Sequence, residues 1–342
     1  MKKATVFIGC LLMVALVFGA KTEEVLAAKS DSKETHLVKS NKIKDTDFFV
    51  DAKWVNQHRD DDNTVIIEAS YGEGKDFKKG HLPGSVHMDT MEIETEENNW
   101  NILPAETSRD AFLTKGVNAD STVIVYGNDI NAVGRIAYVA YWLGVKNVKI
   151  LDGGYDAWTA ADYKTEKGNV TPKAASDFGA EVPGRDDTYI ETSADLVKAK
   201  EANPELIVAS TRSWKEFTGK TSGYSYIENA GEPEGAVWAK ASKSSSDVAY
   251  LTNKDGTMKD PKKLFAAWEK WGITKDSDVA FYCGTGWRNT VVFFLAKQSG
   301  FENAKMWDGG WYDWDLAHQS DPSTYPVQVG DPRDADKLVI EN

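Results

Sequence analysis

The chain has 342 residues, a formal net charge of −13 and 41% hydrophobic residues, among them 12 tryptophans. The acidic balance argues against nucleic acid and anionic membrane surfaces as partners, and the length predicts two domains with apolar cores. Two cysteines rule out a disulfide framework, and five scattered histidines (His36, His58, His81, His87, His318) lack metal-ligand spacing, so neither a metal nor a cofactor is expected.

In chain order, Lys2 and Lys3 precede an apolar run from Ala4 to Ala20 and a short stretch ending in Ala27-Ala28, which reads as a secretory signal over residues 1–28. Its cleavage would remove Cys10 and leave an exported protein, periplasmic or extracellular, with no stable membrane association. A leader kept as an anchor is the alternative. Residues 29–45 are polar and charged and read as a flexible tether. A first domain over 46–160, a linker over 161–185 carrying Pro172 and Pro183, a second domain over 186–320 and a tail over 321–342 complete the organisation.

The two domains read as an internal duplication. Ser121–Gly127 lies over Ser277–Cys283, and the match runs without a gap, at an offset of 156, to Asp152-Gly153-Gly154-Tyr155 over Asp308-Gly309-Gly310-Trp311. Val65–Glu68 lies over Ile207–Ser210, and Pro83–Val86 over Glu234–Val237, at smaller offsets. In the second copy, apolar runs at Ile207–Ser210, Val279–Tyr282 and Ala304–Trp307 alternate with helical patterns at Thr192–Lys200, Pro261–Trp271 and Asn289–Gln298. Such alternation predicts α/β domains, each a mostly parallel sheet flanked by helices.

After the leader, Cys283 is the remaining thiol, placed where an apolar strand breaks into Gly284-Thr285-Gly286-Trp287-Arg288 and a helix. Glycines let the backbone curl around the sulfur, while the helix start turns N–H groups and a positive dipole end toward the same point. A buried structural cysteine is the usual fate of a free thiol, but a Gly-x-Gly turn ending in Arg is a poor way to build a core. At the equivalent position the first copy has Gly127, followed by Asn128–Ala132, so it lacks both nucleophile and cation and keeps a structural role as a wall of the cleft. A phosphate-binding cysteine loop places Cys and Arg six positions apart; here they are five apart, a tighter ring that suits a sulfur atom or persulfide.

On Cys283–Arg288, the Asp-Gly-Gly-aromatic turns at Asp152 and Asp308, and the Gly-x-x-x-Gly-Ser/Ala-Val segments at Gly80 and Gly231, the chain resembles the rhodanese family of sulfurtransferases, and its exported tandem-domain members in particular. The segment Trp214–Tyr226 adds to this likeness. The resemblance implies two tandem rhodanese-like domains, the first inactive, and a double displacement: Cys283 takes a sulfane sulfur from a small anionic donor such as thiosulfate and passes it to a thiol or cyanide. It also implies that Arg288 holds the donor's oxyanion with Arg212 as helper, while Gly284, Thr285, Gly286 and Trp287 shape the binding loop. The family's second Arg is replaced by Glu216 and its acidic residue before Arg212 by Ser210, which leaves 3-mercaptopyruvate as an alternative donor. A non-turnover sulfur carrier is the main rival. A dithiol oxidoreductase would need a resolving cysteine and a cysteine hydrolase a histidine base. Asp308-Gly309-Gly310 reads simply as a turn, and Tyr224 and Tyr226 as structural.

Overall fold

The structure, a computed structural model, describes residues 34–342. The leader read over residues 1–28 and the first residues of the tether lie outside them. In the first half, β1 (Phe49–Val50), β2 (Thr64–Ser70), β3 (Val86–Asp89), β4 (Thr122–Tyr126) and β5 (Asn147–Leu151) form a sheet in the order β1-β5-β4-β2-β3. Every neighbouring pair is parallel. In the second half, β6 (Tyr189–Ile190), β7 (Ile207–Ser210), β9 (Val237–Trp238), β10 (Val279–Tyr282) and β11 (Ala304–Trp307) repeat that plan as β6-β11-β10-β7-β9, again all parallel. Strand for strand the two orders correspond, as the sequence duplication predicts.

The central strands explain why their sequences are apolar without alternation. In β4, Val123 and Val125 enter one core cluster while Ile124 and Tyr126 enter another on the opposite face. In β10, Val279 and Phe281 join that first cluster, and Ala280 and Tyr282 join a third. A strand covered on both faces has no polar side to show. The first cluster is therefore one core shared by both halves.

Helices Ile130–Leu143 and Arg288–Gln298 follow β4 and β10 and pack against each other at its centre. They are buried almost all round, since each lies between its own sheet and the other helix. Gly134 allows the close approach: a Cβ there would sit 2.5 Å from Thr290 Oγ1. Farther along, the Tyr138 and Phe293 rings meet edge to face at 5.0 Å.

Two segments differ from their sequence reading. The stretch read as a flexible tether is, from Thr35 on, tied down: Leu37 N donates to Met258 O (2.8 Å), Asn253 Nδ2 donates to Thr35 O (3.1 Å), and Lys149 Nζ donates to the Asp45 and Asp47 carbonyls. The stretch read as a tail supplies β12 (Val327–Val329) and β13 (Val339–Glu341), which form an antiparallel sheet with β8 (Glu232–Pro233) in the order β13-β12-β8. Both segments are polar enough to read as loop, and both are ordered by partners remote in sequence. Among the described residues no helix is long and apolar enough to cross a membrane.

Candidate active site

Cys283 stands at the carboxyl end of β10, where parallel sheets present their ligand sites, and is fully buried. Its loop is held from behind by the turn that follows β11. Trp311 N donates to Cys283 O (2.9 Å) and Tyr312 N to Gly284 O (3.0 Å). Gly310 makes this possible with φ +56°, since a Cβ there would lie 2.7 Å from Cys283 O. At Gly286, φ is +76° and a Cβ would collide with Asp308, while one at Gly284 would collide with the Tyr224 ring. The glycines read from sequence as loop formers are thus required by position.

Asp308, read as part of a turn, does more. It is buried and pairs with Arg135, a first-half residue, while accepting from Ile102 N (2.7 Å) and the Tyr189 hydroxyl (2.8 Å). Arg135 also donates Nη1 to Gly286 O (3.2 Å), Nη2 to Trp100 O (2.7 Å) and Nε to Glu94 (2.8 Å). Glu94 in turn accepts from Trp287 Nε1 (3.1 Å). Burial pushes the Glu94 carboxyl up to about 7 against the pull of Arg135. The first half therefore grips the cysteine loop directly. The reciprocal contact exists: Asp152 accepts from Met258 N (2.7 Å), and both pairs are related by the separation of 156 that aligns the copies.

Arg288 is buried and its guanidinium is engaged. Nη1 and Nη2 make a two-pronged contact with Glu216 (3.1 and 2.9 Å), Nη1 also reaches Ser244 O (2.8 Å), and Nη2 donates to the Tyr224 hydroxyl (3.0 Å). Burial alone would raise the Glu216 carboxyl, but Arg288 and Arg212 outweigh it and hold it at about 2. The carboxylate at 216, where the resemblance implied a second Arg, pairs with this guanidinium.

Arg212 stands deeper. It is fully buried, pairs with Glu232 (3.1 Å), donates to Gly231 O (2.7 Å) and Ser222 O (2.8 Å), and lies against the Trp311 ring. Ser210, which replaces the family's acidic residue, bonds the same Glu232 (2.9 Å). Glu232 on β8 is thus the acid shared by Arg212 and Ser210.

In front of the loop is a cavity of about 310 Å³ lined by both halves. The second half contributes Thr285, Trp287, Arg288, Tyr224, Tyr226 and Ser245-Ser246; the first contributes Tyr71, Trp100, Asp129 and Asn131. The structure thus brings Thr285, Trp287 and Arg288 to one wall, leaves Arg212 out of it, and gives the tyrosines read as structural a place in the lining. Sequence reasoning missed Glu94, Trp100, Asp129 and Arg135. Asp129 alone had a signal, the match between copies that places it opposite Thr285.

This architecture defines a tandem α/β protein with one cysteine loop at the junction of its halves. The rhodanese-like domain family matches residues 51–161 and 193–317, and the chain belongs to that family. It is 39% identical over 269 residues to the thiosulfate sulfurtransferase YnjE of Escherichia coli, 78% of this chain and 60% of that protein, so it spans about three fifths of that relative's length. The crystal structure of YnjE superposes with a TM-score of 0.77 at 35% identity, over 83% of this chain and 68% of the other. The sulfur carrier protein TtuD of Thermus thermophilus is 28% identical over 78% of this chain and 92% of its own. A structure of EanB with ergothioneine gives a TM-score of 0.76 at 29% identity, over 83% of this chain and 70% of that one.

Proposed function

We propose that this chain is a sulfurtransferase working through a persulfide on Cys283. The observation that carries the reading is the six-residue loop Cys283–Arg288 at a parallel-strand end, backed by the Gly310-Trp311 turn and ahead of an eleven-residue helix. Cys283 is the free cysteine of the described residues.

In the first half-reaction the Cys283 thiolate attacks the outer sulfur of a sulfane donor such as thiosulfate. The donor's S–S bond breaks, sulfite leaves with the electron pair, and Cys283 carries the outer sulfur. In the second, an acceptor thiolate attacks that sulfur, the enzyme's S–S bond breaks, and the Cys283 thiolate is restored; cyanide would leave as thiocyanate. Loop N–H groups and the helix start stabilise negative sulfur in both states. Arg135 and the Gly310-Trp311 turn hold the loop carbonyls on the far side, so the loop is positioned before substrate arrives.

Thiosulfate-dependent sulfite release with a thiol or cyanide acceptor tests this. Wild-type turnover with none from Cys283→Ser supports the reading, and equal rates from both remove it. A protein that loads sulfur once but does not turn over would favour the carrier role. Export is part of the reading, supported by the Lys2-Lys3 start, the apolar run and Ala27-Ala28. Amino-terminal sequencing of the protein from its native cell should give a start at Ala28 or Lys29, and an intact Met1 in the membrane fraction would show an anchor instead.

A further inference from the structure

Tyr71 is the first residue past β2 and, at 64%, the most exposed large hydrophobic side chain among the described residues, yet it lines the cavity in front of the cysteine loop. A side chain so exposed gains little from packing. Its place is set by the backbone of the next residue: Gly72 N donates to Asp89 Oδ1 (2.9 Å), and Gly72 O accepts from Gly74 N (2.9 Å) and from His87 Nε2 (2.9 Å). Gly74, at φ +61°, lies on the His87 ring itself, where a Cβ would come within 2.8 Å. The segment that carries Tyr71 is therefore folded over one imidazole.

The hydrogen bonds of that imidazole define its charge. Nδ1 stands 2.8 Å from Glu68 Oε2, and Nε2 stands 2.9 Å from the Gly72 carbonyl. A neutral imidazole carries one N–H, so with an acceptor at each nitrogen only the imidazolium satisfies both. Of the charged groups that bear on it, Glu68 comes from β2 and Asp89 from its own strand, while the helix Lys75–Lys79 turns the Phe77 ring toward it at 5.9 Å. Burial works against the imidazolium, but Glu68, the Gly72 carbonyl and Asp89 outweigh it and hold its pKa above the ordinary 6.5. The second half makes the matching contact without a proton to lose. Trp238, which the duplication sets over His87 as it sets Val237 over Val86, donates Nε1 to Arg212 O (2.9 Å) just past β7.

We propose that His87, held as an imidazolium, is a positioning residue of the active site: by gripping the Gly72 carbonyl it fixes Tyr71 at the cavity mouth, so that substrate binding in front of Cys283 weakens when His87 loses its proton. The inference rests on the sulfurtransferase reading for the effect on substrate and on the first half alone for the clamp. Because the folded state holds this proton more tightly, the clamp is complete below the ordinary 6.5 and is lost as pH rises through the higher folded value.

Two measurements test it and fail separately. The first needs no turnover and uses the wild-type protein. By NMR, both His87 ring nitrogens should carry protons below pH 6.5, the titration midpoint should lie above 6.5, and the Gly72 and Gly74 amide resonances should move with that same midpoint. A midpoint at or below 6.5, or amides that ignore it, would overturn the clamp. The second follows single-turnover loading of Cys283 by thiosulfate, which keeps its charge throughout the range. Half-saturating thiosulfate in Tyr71→Ala, divided by that in wild type, should be about threefold or more near pH 6 and fall toward one as His87 titrates, with limiting rates unchanged. His87→Ala should behave as Tyr71→Ala does, and the double variant should be no worse than either. Ratios cancel the titrating groups that the variants share, Glu94 among them. A ratio near one at low pH, a ratio independent of pH, or additive variants would overturn the role at the mouth. If Cys283 takes no sulfur from any donor, the sulfurtransferase reading and the mouth role fall together, while the NMR midpoint still decides the clamp.

Discussion

Glu216 and Arg288 are each about 1% exposed and share a two-pronged contact, so each is the other's main compensation for lost hydration. Removing the carboxylate leaves a buried guanidinium without its partner. Glu216→Gln should therefore lose about 3–5 kcal/mol in denaturant unfolding at neutral pH. Because the folded carboxyl sits at about 2 against an ordinary 4.5, its contribution is complete above about 4.5 and disappears as pH falls toward 2. With about 1.4 kcal/mol for each tenfold change in proton affinity, that is on the order of 3 kcal/mol. The gap between wild type and Glu216→Gln should close over that window, and a gap independent of pH would refute the pairing.

Glu94 has the opposite sign. Its folded carboxyl is raised to about 7, so the folded state holds the proton more tightly and loses stability as pH climbs from about 4.5 through 7. Glu94→Gln, which keeps an acceptor oxygen for Arg135 and Trp287, should gain relative to wild type across that range. A constant difference between pH 5 and 8 would show that Glu94 does not titrate there. Neither residue's role was legible beforehand: Glu94 meets partners 41 and 193 positions away, and nothing local marks such contacts. The departure at Glu216 was visible, but its consequence appears only when the short helix at Trp214–Phe217 sets it beside Arg288.

At the scale of elements, much was legible. Strands β7, β10 and β11 fall on the residues read for them, because short apolar runs alternate with helical patterns, with Asp278 ahead of β10 and Asn303 and Asp308 on either side of β11. The Asp-Gly-Gly turn was read for its shape and not for its load, since the carbonyls that Trp311 and Tyr312 support lie 28 positions back. Gly310→Ala tests that load. A left-handed backbone at a non-glycine residue costs about 1–2 kcal/mol, and the added methyl would press on Cys283 O. The variant should lose roughly that stability and, more tellingly, slow single-turnover sulfur loading beyond what its retained folded fraction explains. Loading at the wild-type rate would detach the turn from the chemistry.

The whole molecule follows from the duplication once the two copies are packed face to face. Duplication told of two sheets, and the shared core cluster shows why they cannot be treated as independent domains. Arg135, Asp308, Asp152 and Met258 tie them across the contact. Calorimetry and tryptophan fluorescence should therefore report one coincident unfolding transition for both halves; two separated transitions would contradict the shared core. The same packing makes the first copy part of the site, since it brings Trp100, Asp129 and Arg135 to the Cys283–Arg288 loop, whose cysteine it lacks itself.

The most direct measurement is the intact mass of the purified protein after brief exposure to thiosulfate, with a peptide map to place the change. A single added sulfur on Cys283, removed by a thiol acceptor and absent in Cys283→Ser, is the predicted result. An unchanged mass with thiosulfate and with other sulfane donors, or sulfur found away from Cys283, would contradict the account.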